Sequence, residues 1–162
     1  MGEEAYKRPE WDEYFLQIAR DVSKRATCLR RRYGAVVVKD KRIVSTGYCG
    51  APSGQEDCAA RGVCQRQEQN VPSGQRYELC RSVHAEANAL QYAGIQSKGA
   101  VLYICGEEYD GSLAEGKPCS MCARMILNSH VDKVIVRMKD GTKKQFSIEE
   151  IKQIADSFGN SP

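Results

Sequence analysis

The chain contains no apolar run approaching the length of a membrane span. A bilayer-crossing helix takes about 20 consecutive apolar residues, so none is expected. It also lacks an apolar stretch behind its start: Met1 to Glu13 is charged throughout, so no secretory leader is read. An excess of one charge is missing too. Twenty-four Lys and Arg stand against 21 Asp and Glu, a formal net charge of +3, too balanced to imply nucleic-acid binding by itself. Aromatics are only 7% of residues and no basic tail is evident, which argues against an RNA-stacking surface. There is no internal repeat and no low-complexity tract. At 162 residues and 41% hydrophobic, the chain suits one globular core and is too short to favour two. The expectation is a single intracellular, cytoplasmic domain over residues 1–162, with its core at about 10–138 and no membrane association.

What the sequence has in quantity is cysteine, eight in all. Disulfides are rare in the cytosol, so the usual explanation for such a count is metal. Six zinc-bound thiolates on two Zn²⁺ ions would bring the formal charge to about +1. A secreted disulfide scaffold is the alternative, and the absence of a leader argues against it.

Residues 10–27 place Trp11, Tyr14, Phe15, Ile18, Ala19 and Val22 at helical spacing with charges opposite, an amphipathic helix. Two β-rich runs, Ala35 to Val38 and Arg42 to Thr46, flank Lys39-Asp40-Lys41 and read as a hairpin. From Tyr48 to Val83 periodicity disappears, over a stretch too long for an ordinary connection, so something must hold it. Helical pattern returns at His84 to Tyr92, with Gly94 able to end it, and Gly99 to Cys105 is strand-like. After a polar insertion, Gly106 to Lys117, Pro118 suits the first turn of a helix to about Ser129. Lys133 to Met138 is a strand and Ser147 to Ser157 a last helix, with Ser147 as N-cap. Strands alternating with helices imply a mixed α/β sheet layered with helices.

Chemistry concentrates at His84-Ala85-Glu86 and Pro118-Cys119-Ser120-Met121-Cys122. Cys119 and Cys122 fall at one helix start, where the dipole and unpaired N–H groups favour thiolates. His84 and Glu86 fall at another. Three ligands, His84, Cys119 and Cys122, leave the fourth tetrahedral position to water, which marks a catalytic rather than a structural zinc. Zinc brings the pKa of water towards about 7, and Glu86 is placed to carry protons. A first-turn carboxylate alone would be read as helix stabilisation, and a lone Cys-x-x-Cys as a redox pair or half a zinc ribbon. Together they form the H-x-E…P-C-x-x-C arrangement of zinc nucleobase deaminases.

With Arg32-Tyr33-Gly34-Ala35-Val36-Val37 and Ser45-Thr46-Gly47-Tyr48-Cys49-Gly50-Ala51-Pro52-Ser53-Gly54 in series before these two motifs, the chain resembles the cytidine and deoxycytidylate deaminase superfamily, most closely its deoxycytidylate (dCMP) branch. The resemblance covers about Trp11 to Val136. It implies a three-layer cytidine-deaminase-like fold with a central five-stranded mixed sheet between helices. It also implies zinc hydrolytic deamination and homo-oligomers, dimer or hexamer. Members of the branch often carry a second, structural zinc, and Cys28, Cys58, Cys64 and Cys80 occupy the matching places, which would staple the loop at 48–83. Cys105 reads as core.

Three departures from the family pattern stand out. Cys49 replaces an asparagine associated with sugar recognition, and a thiol cannot reproduce an amide's donors and acceptor. The insertion at 106–117 is expected to overhang the pocket. His130 stands where a helix-ending glycine is common and reads as a C-terminal cap. Cys49 and Ala85 are the expected substrate contacts, and Arg30, Arg31, Arg32, Arg81, Lys117 and Arg124 are candidates for a phosphate. The leading reading is conversion of dCMP and water to dUMP and ammonia. A nucleic-acid deaminase acting on a tRNA adenosine and a non-catalytic zinc-stapled binding module are the alternatives, and an intact Glu86 argues against the second.

Overall fold

Strand β1 (Arg31–Lys39) is buried without interruption from Gly34 to Val38. A strand with one face in water alternates, whereas one covered on both faces does not. Ala35 and Val37 enter one hydrophobic cluster, Val36 and Val38 another on the opposite face. The computed structural model, which describes residues 2 and 4–157, is therefore a three-layer α/β arrangement. Its five-stranded mixed sheet has the order β2-β1-β3-β4-β5.

Strand β2 (Arg42–Tyr48) pairs antiparallel with β1, and the hairpin turn sets Asp40 and Lys41 at φ 50° and 59°, the left-handed pair that a type I′ turn requires. On the other side of β1, strand β3 (Val101–Glu108) runs antiparallel to it. Strand β4 (Lys133–Arg137) is parallel to β3, and β5 (Lys143–Phe146) antiparallel to β4. Helix α1 (Trp11–Ser23) covers one face with Phe15, Leu16 and Ala19. Between β2 and β3 lie two short helices, α2 (Cys58–Arg61) and α3 (Gln65–Glu68), and helix α4 (Ala85–Ala93). Helices α4, α5 (Ser120–Ser129) and α6 (Ile148–Ala155) contribute Ala89, Ile126 and Ile151 to the other face.

Several elements differ from the sequence reading. The strand β5 had no signal, because Lys143-Lys144-Gln145-Phe146 buries only its last side chain. The core runs past 138, since Ile151 is fully buried. Pro118 lies outside α5, whose N-cap is Cys119. On α1, Trp11 and Tyr14 are exposed and Leu16 is buried instead. The polar insertion is less of an overhang than expected. Strand β3 continues through its first residues, Leu113 bridges back to Glu107, and Ala114 donates its N–H to Gly106 at 2.9 Å. Glu107 is buried there between Arg20 at 2.7 Å and Arg32 at 3.3 Å. His130 does cap α5, at φ 59°, and Ser147 forms a capping box with Glu150 on α6. Among the described residues no helix is long and apolar enough to cross a membrane.

The contact that sets α4 against the sheet runs through Gly47. A Cβ there would lie 2.4 Å from Ala89 N and 2.5 Å from Ala85 O, both backbone atoms of α4. Such overpacking costs about 1–3 kcal/mol. Gly47→Ala is therefore expected to lower the melting temperature by about 2–4 °C per kcal/mol lost, as read by thermal unfolding. An unchanged Tm would show that helix and strand are not in this contact.

Candidate metal centre

Two helix N-termini point at one place. His84 is the N-cap of α4, with extended backbone, and Cys119 is the N-cap of α5, its Sγ accepting from Cys122 N at 3.4 Å. Asn88 fixes the first helix by donating its Nδ2–H to Tyr48 O at 2.9 Å. The sulfurs of Cys119 and Cys122 lie 3.6 and 3.4 Å from His84 Nδ1. The donor atoms of His84, Cys119 and Cys122 all fall within 4.8 Å of one another. Two thiols and an imidazole nitrogen are the donor set that a borderline-soft ion such as zinc takes. Three protein donors, where tetrahedral zinc takes four, leave one position for water.

The electrostatics of the trio agree with a cation site. Burial opposes charge on His84, but its hydrogen bonds with Cys119 and Cys80 and the Glu86 charge together outweigh it and raise the imidazole to about 10. The Cys119 thiol is lowered, first by the hydrogen bond from Cys122 and then by His84. Cys122 is held up, as the donor of that bond and by burial. Glu86, in the first turn of α4 and only 6% exposed, has its carboxyl raised by burial, partly offset by His84. A carboxyl that burial keeps easy to protonate can both take and return a proton.

A cavity of about 210 Å³ reaches His84 and Cys119, with Glu86, Ala85 and Cys49 among its walls and Arg30, Arg31 and Lys117 also lining it. Cys49 is buried. Its Sγ accepts from Tyr33 N at 3.3 Å and donates to Arg31 O at 3.6 Å, and burial pushes the thiol up to about 12. Of the six basic candidates, Arg32, Arg81 and Arg124 are not among the lining residues. Arg32 turns to Glu107 and Arg81 donates to Glu56 O at 3.1 Å. The cavity also uses residues that sequence reasoning missed, including Arg66, Tyr77 and Glu115. They sit in aperiodic or inserted segments, where no local pattern marks a lining position. Tyr33, whose hydroxyl donates to Glu115 O at 2.9 Å, ties the insertion to the pocket wall.

Cys28, Cys58, Cys64 and Cys80 lie in one electrostatic neighbourhood. Burial raises the Cys58 thiol first, and the other three raise it further. Among the described residues they do not form a group of three or more placed to hold a metal ion. Cys80 also faces the first site, because a hydrogen bond with His84 is the leading cause lowering its thiol.

An α/β sandwich that presents an imidazole and two thiols to one point, with a buried carboxyl beside them, defines a zinc-dependent hydrolase. The chain belongs to the cytidine and deoxycytidylate deaminase family: residues 9–138 match the pattern of the cytidine and deoxycytidylate deaminase zinc-binding region. It is 41% identical over 134 residues to the deoxycytidylate deaminase of Mycobacterium phage D29, covering 79% of this chain and 94% of that protein. Identity to the deoxycytidylate deaminase of Schizosaccharomyces pombe is 35% over 130 residues, covering 79% of this chain but 37% of the yeast protein. The fold matches the crystal structure of dCMP deaminase from the cyanophage S-TIM5 in complex with dCMP and dUMP. That match has a TM-score of 0.60 and 26% identity, over 92% of this chain and 95% of the other.

Serine is a good N-cap but a poor zinc ligand. Cys119→Ser should therefore keep helix α5 and its cap to Cys122 N while losing the metal. Elemental analysis of the purified variant is expected to show one zinc fewer per chain than wild type, with unchanged helical circular dichroism. Full zinc occupancy in the variant would remove Cys119 from the ligand set.

Proposed function

We propose that the protein hydrolyses the exocyclic amine of dCMP, giving dUMP and ammonia, with Glu86 as its proton carrier. The single observation that carries the reading is the buried Glu86 carboxyl beside His84, Cys119 and Cys122, in the wall of a cavity with basic residues at its edge. The names of the phage and yeast relatives support the substrate, as does the cyanophage enzyme crystallised with dCMP and dUMP.

Zinc held by His84, Cys119 and Cys122 supplies Lewis acidity, which brings the pKa of water near neutrality. The remaining work belongs to the chain's own residues. Glu86 takes a proton from the attacking water and delivers it to N3 of cytosine as oxygen adds to C4. It then takes the remaining proton from the C4 hydroxyl and passes it to the amine, so that the C4–N bond breaks and ammonia leaves as the C4 carbonyl forms. Ala85 and Cys49 contact the nucleoside. Because the Cys49 thiol already bonds to β1 backbone, it shapes the sugar pocket and does not replace an amide. Arg30, Arg31 and Lys117 meet the phosphate, and Arg31 divides its charge with Glu108 at 3.1 Å.

The proposal extends to a second, structural zinc on Cys28, Cys58, Cys64 and Cys80, supported by their mutual electrostatic influence. Zn–S bonds of about 2.3 Å require the sulfurs to draw to about 3.8 Å apart. We also assign one deaminase domain to the chain, whose residues 1, 3 and 158–162 lie outside the described ones. Homo-oligomerisation, as dimer or hexamer, is supported by two large exposed apolar side chains three residues apart, Tyr92 in the last turn of α4 and Ile95 just beyond it. A cytoplasmic location suits a protein whose metal ligands must stay reduced.

Two measurements test this assignment. Glu86→Gln is expected to retain zinc and fold while turnover on dCMP falls by about 10²–10⁴-fold or more. The assay is ammonia release across dCMP, CMP, deoxycytidine, cytidine and dCTP. Near-normal turnover in the variant would refute the proton-carrier assignment, and wild-type preference for another substrate would refute dCMP. For the second metal, wild type should carry two zinc ions per chain, and Cys64→Ala should lose one and unfold at lower temperature. One zinc in wild type, with unchanged stability in Cys64→Ala, would remove the structural site.

A further inference from the structure

His84 precedes the first turn of α4, with φ −68° and ψ 154°, so the turns of its own helix do not confine its ring. Its Nδ1 must nevertheless stay aimed at two sulfurs, and a rotation about the side chain would swing it away. Something outside α4 has to hold the ring. Tyr77 meets the imidazole edge to face, with ring centroids 4.8 Å apart and an interplanar angle of 88°. This is one of the two geometries that aromatic pairs prefer.

Tyr77 is braced in turn from behind. Arg66 is 6% exposed, and among the described residues no carboxylate pairs with it. Its guanidinium instead forks onto loop carbonyls: Nε donates to Gln75 O at 3.1 Å, and Nη2 to Gln75 O at 2.8 Å and Pro72 O at 3.1 Å. This clips residues 66–75 into a closed turn, in a segment with little apolar surface to bury. The same guanidinium lies over the Tyr77 ring, 4.6 Å from its centroid, where a partly desolvated cation–π contact is strongest. The cation fixes one face of the tyrosine and the tyrosine fixes the histidine.

We propose that Tyr77 is a positioning residue that holds the His84 imidazole in its metal-binding orientation, and that Arg66 holds Tyr77. Outer partners that orient a metal-binding histidine are commonly hydrogen-bond acceptors. Here the Cys80 thiol also bonds His84, and an aromatic ring adds the restraint on the imidazole's rotation. The proposal rests on the zinc centre and not on the identity of the substrate, so its readout is metal binding.

The wild-type protein and the variants Tyr77→Phe, Tyr77→Leu and Arg66→Lys are compared by chelator competition for Zn²⁺ and by the visible spectrum after Co²⁺ substitution. Steady-state kinetics are measured with whichever nucleotide turns over. Tyr77→Phe keeps the ring and should bind zinc within about twofold of wild type. Tyr77→Leu should bind it about 10–100-fold more weakly, with an altered cobalt spectrum and a fall in kcat at nearly constant KM. Arg66→Lys should move affinity the same way by a smaller factor, because an ammonium lacks the rigid planar fork and the flat face that lies over the Tyr77 ring. A second variant without a ring, Tyr77→Met, answers the same question if leucine destabilises the loop. Wild-type zinc affinity in both ringless variants overturns the proposal, as does a loss in Tyr77→Phe as large as in Tyr77→Leu. Wild-type affinity in Arg66→Lys removes the part assigned to Arg66. If dCMP proves not to be the substrate, these metal measurements keep their meaning.

Discussion

The structure depends on the convergence of two helix N-termini on one point. Each brings unpaired N–H groups and the positive end of its dipole, and each begins with a metal-binding residue, His84 on α4 and Cys119 on α5. The rest of the fold serves that meeting. The parallel pair β3 and β4 brackets α5 in sequence. The Gly47 contact lets α4 lie on β2 with backbone against backbone. Moving either helix by an ångström would open a donor set that spans 4.8 Å.

The same convergence explains why the site tolerates so much buried polarity. A buried thiolate, an imidazolium and a carboxyl would each be costly alone. Together, the hydrogen bonds from Cys122 and the contact with His84 offset burial at Cys119. At Glu86 burial outweighs the His84 charge and the hydrogen bonds that favour the carboxylate, and its carboxyl is raised as a result. The other deeply buried carboxylate, Glu107, lies between Arg20 and Arg32. Its role is structural, because it anchors the segment that returns to the pocket through Ala114 and Glu115. The two buried carboxyls therefore differ: burial leaves Glu86 raised, while two cations hold Glu107.

The two segments without regular pattern are the ones that finish the pocket. Loop 48–83 supplies Cys49, Arg66 and Tyr77, and insertion 106–117 supplies Glu115 and Lys117. Both are tied by specific bonds, among them Ala59 N to Thr27 O at 3.1 Å, Val83 N to Gly50 O at 2.8 Å and the Tyr33 hydroxyl to Glu115 O. Substrate selectivity in such an arrangement follows loop chemistry, while the zinc centre follows the sheet and helices. Cys49 illustrates the division: the family pattern has an asparagine there, and in this chain the thiol is satisfied by the backbone of β1.

The reactive centre was legible from sequence because its residues act through local spacing. Two cysteines one turn apart after a proline, and a histidine two residues before a glutamate, declare their chemistry before any contact is known. The continuous apolar run of β1 and the capping pattern of α6 were legible for the same reason, since burial period and cap chemistry are properties of neighbouring residues. Tertiary structure alone decided the rest. Arg66 and Tyr77 acquire their place through contacts across an aperiodic loop, and β5 becomes a strand because β4 offers it an edge. Arg32, one of six basic candidates on sequence, is claimed by Glu107 from another strand. Such assignments depend on which distant groups meet, and a linear pattern carries no record of a meeting across the fold.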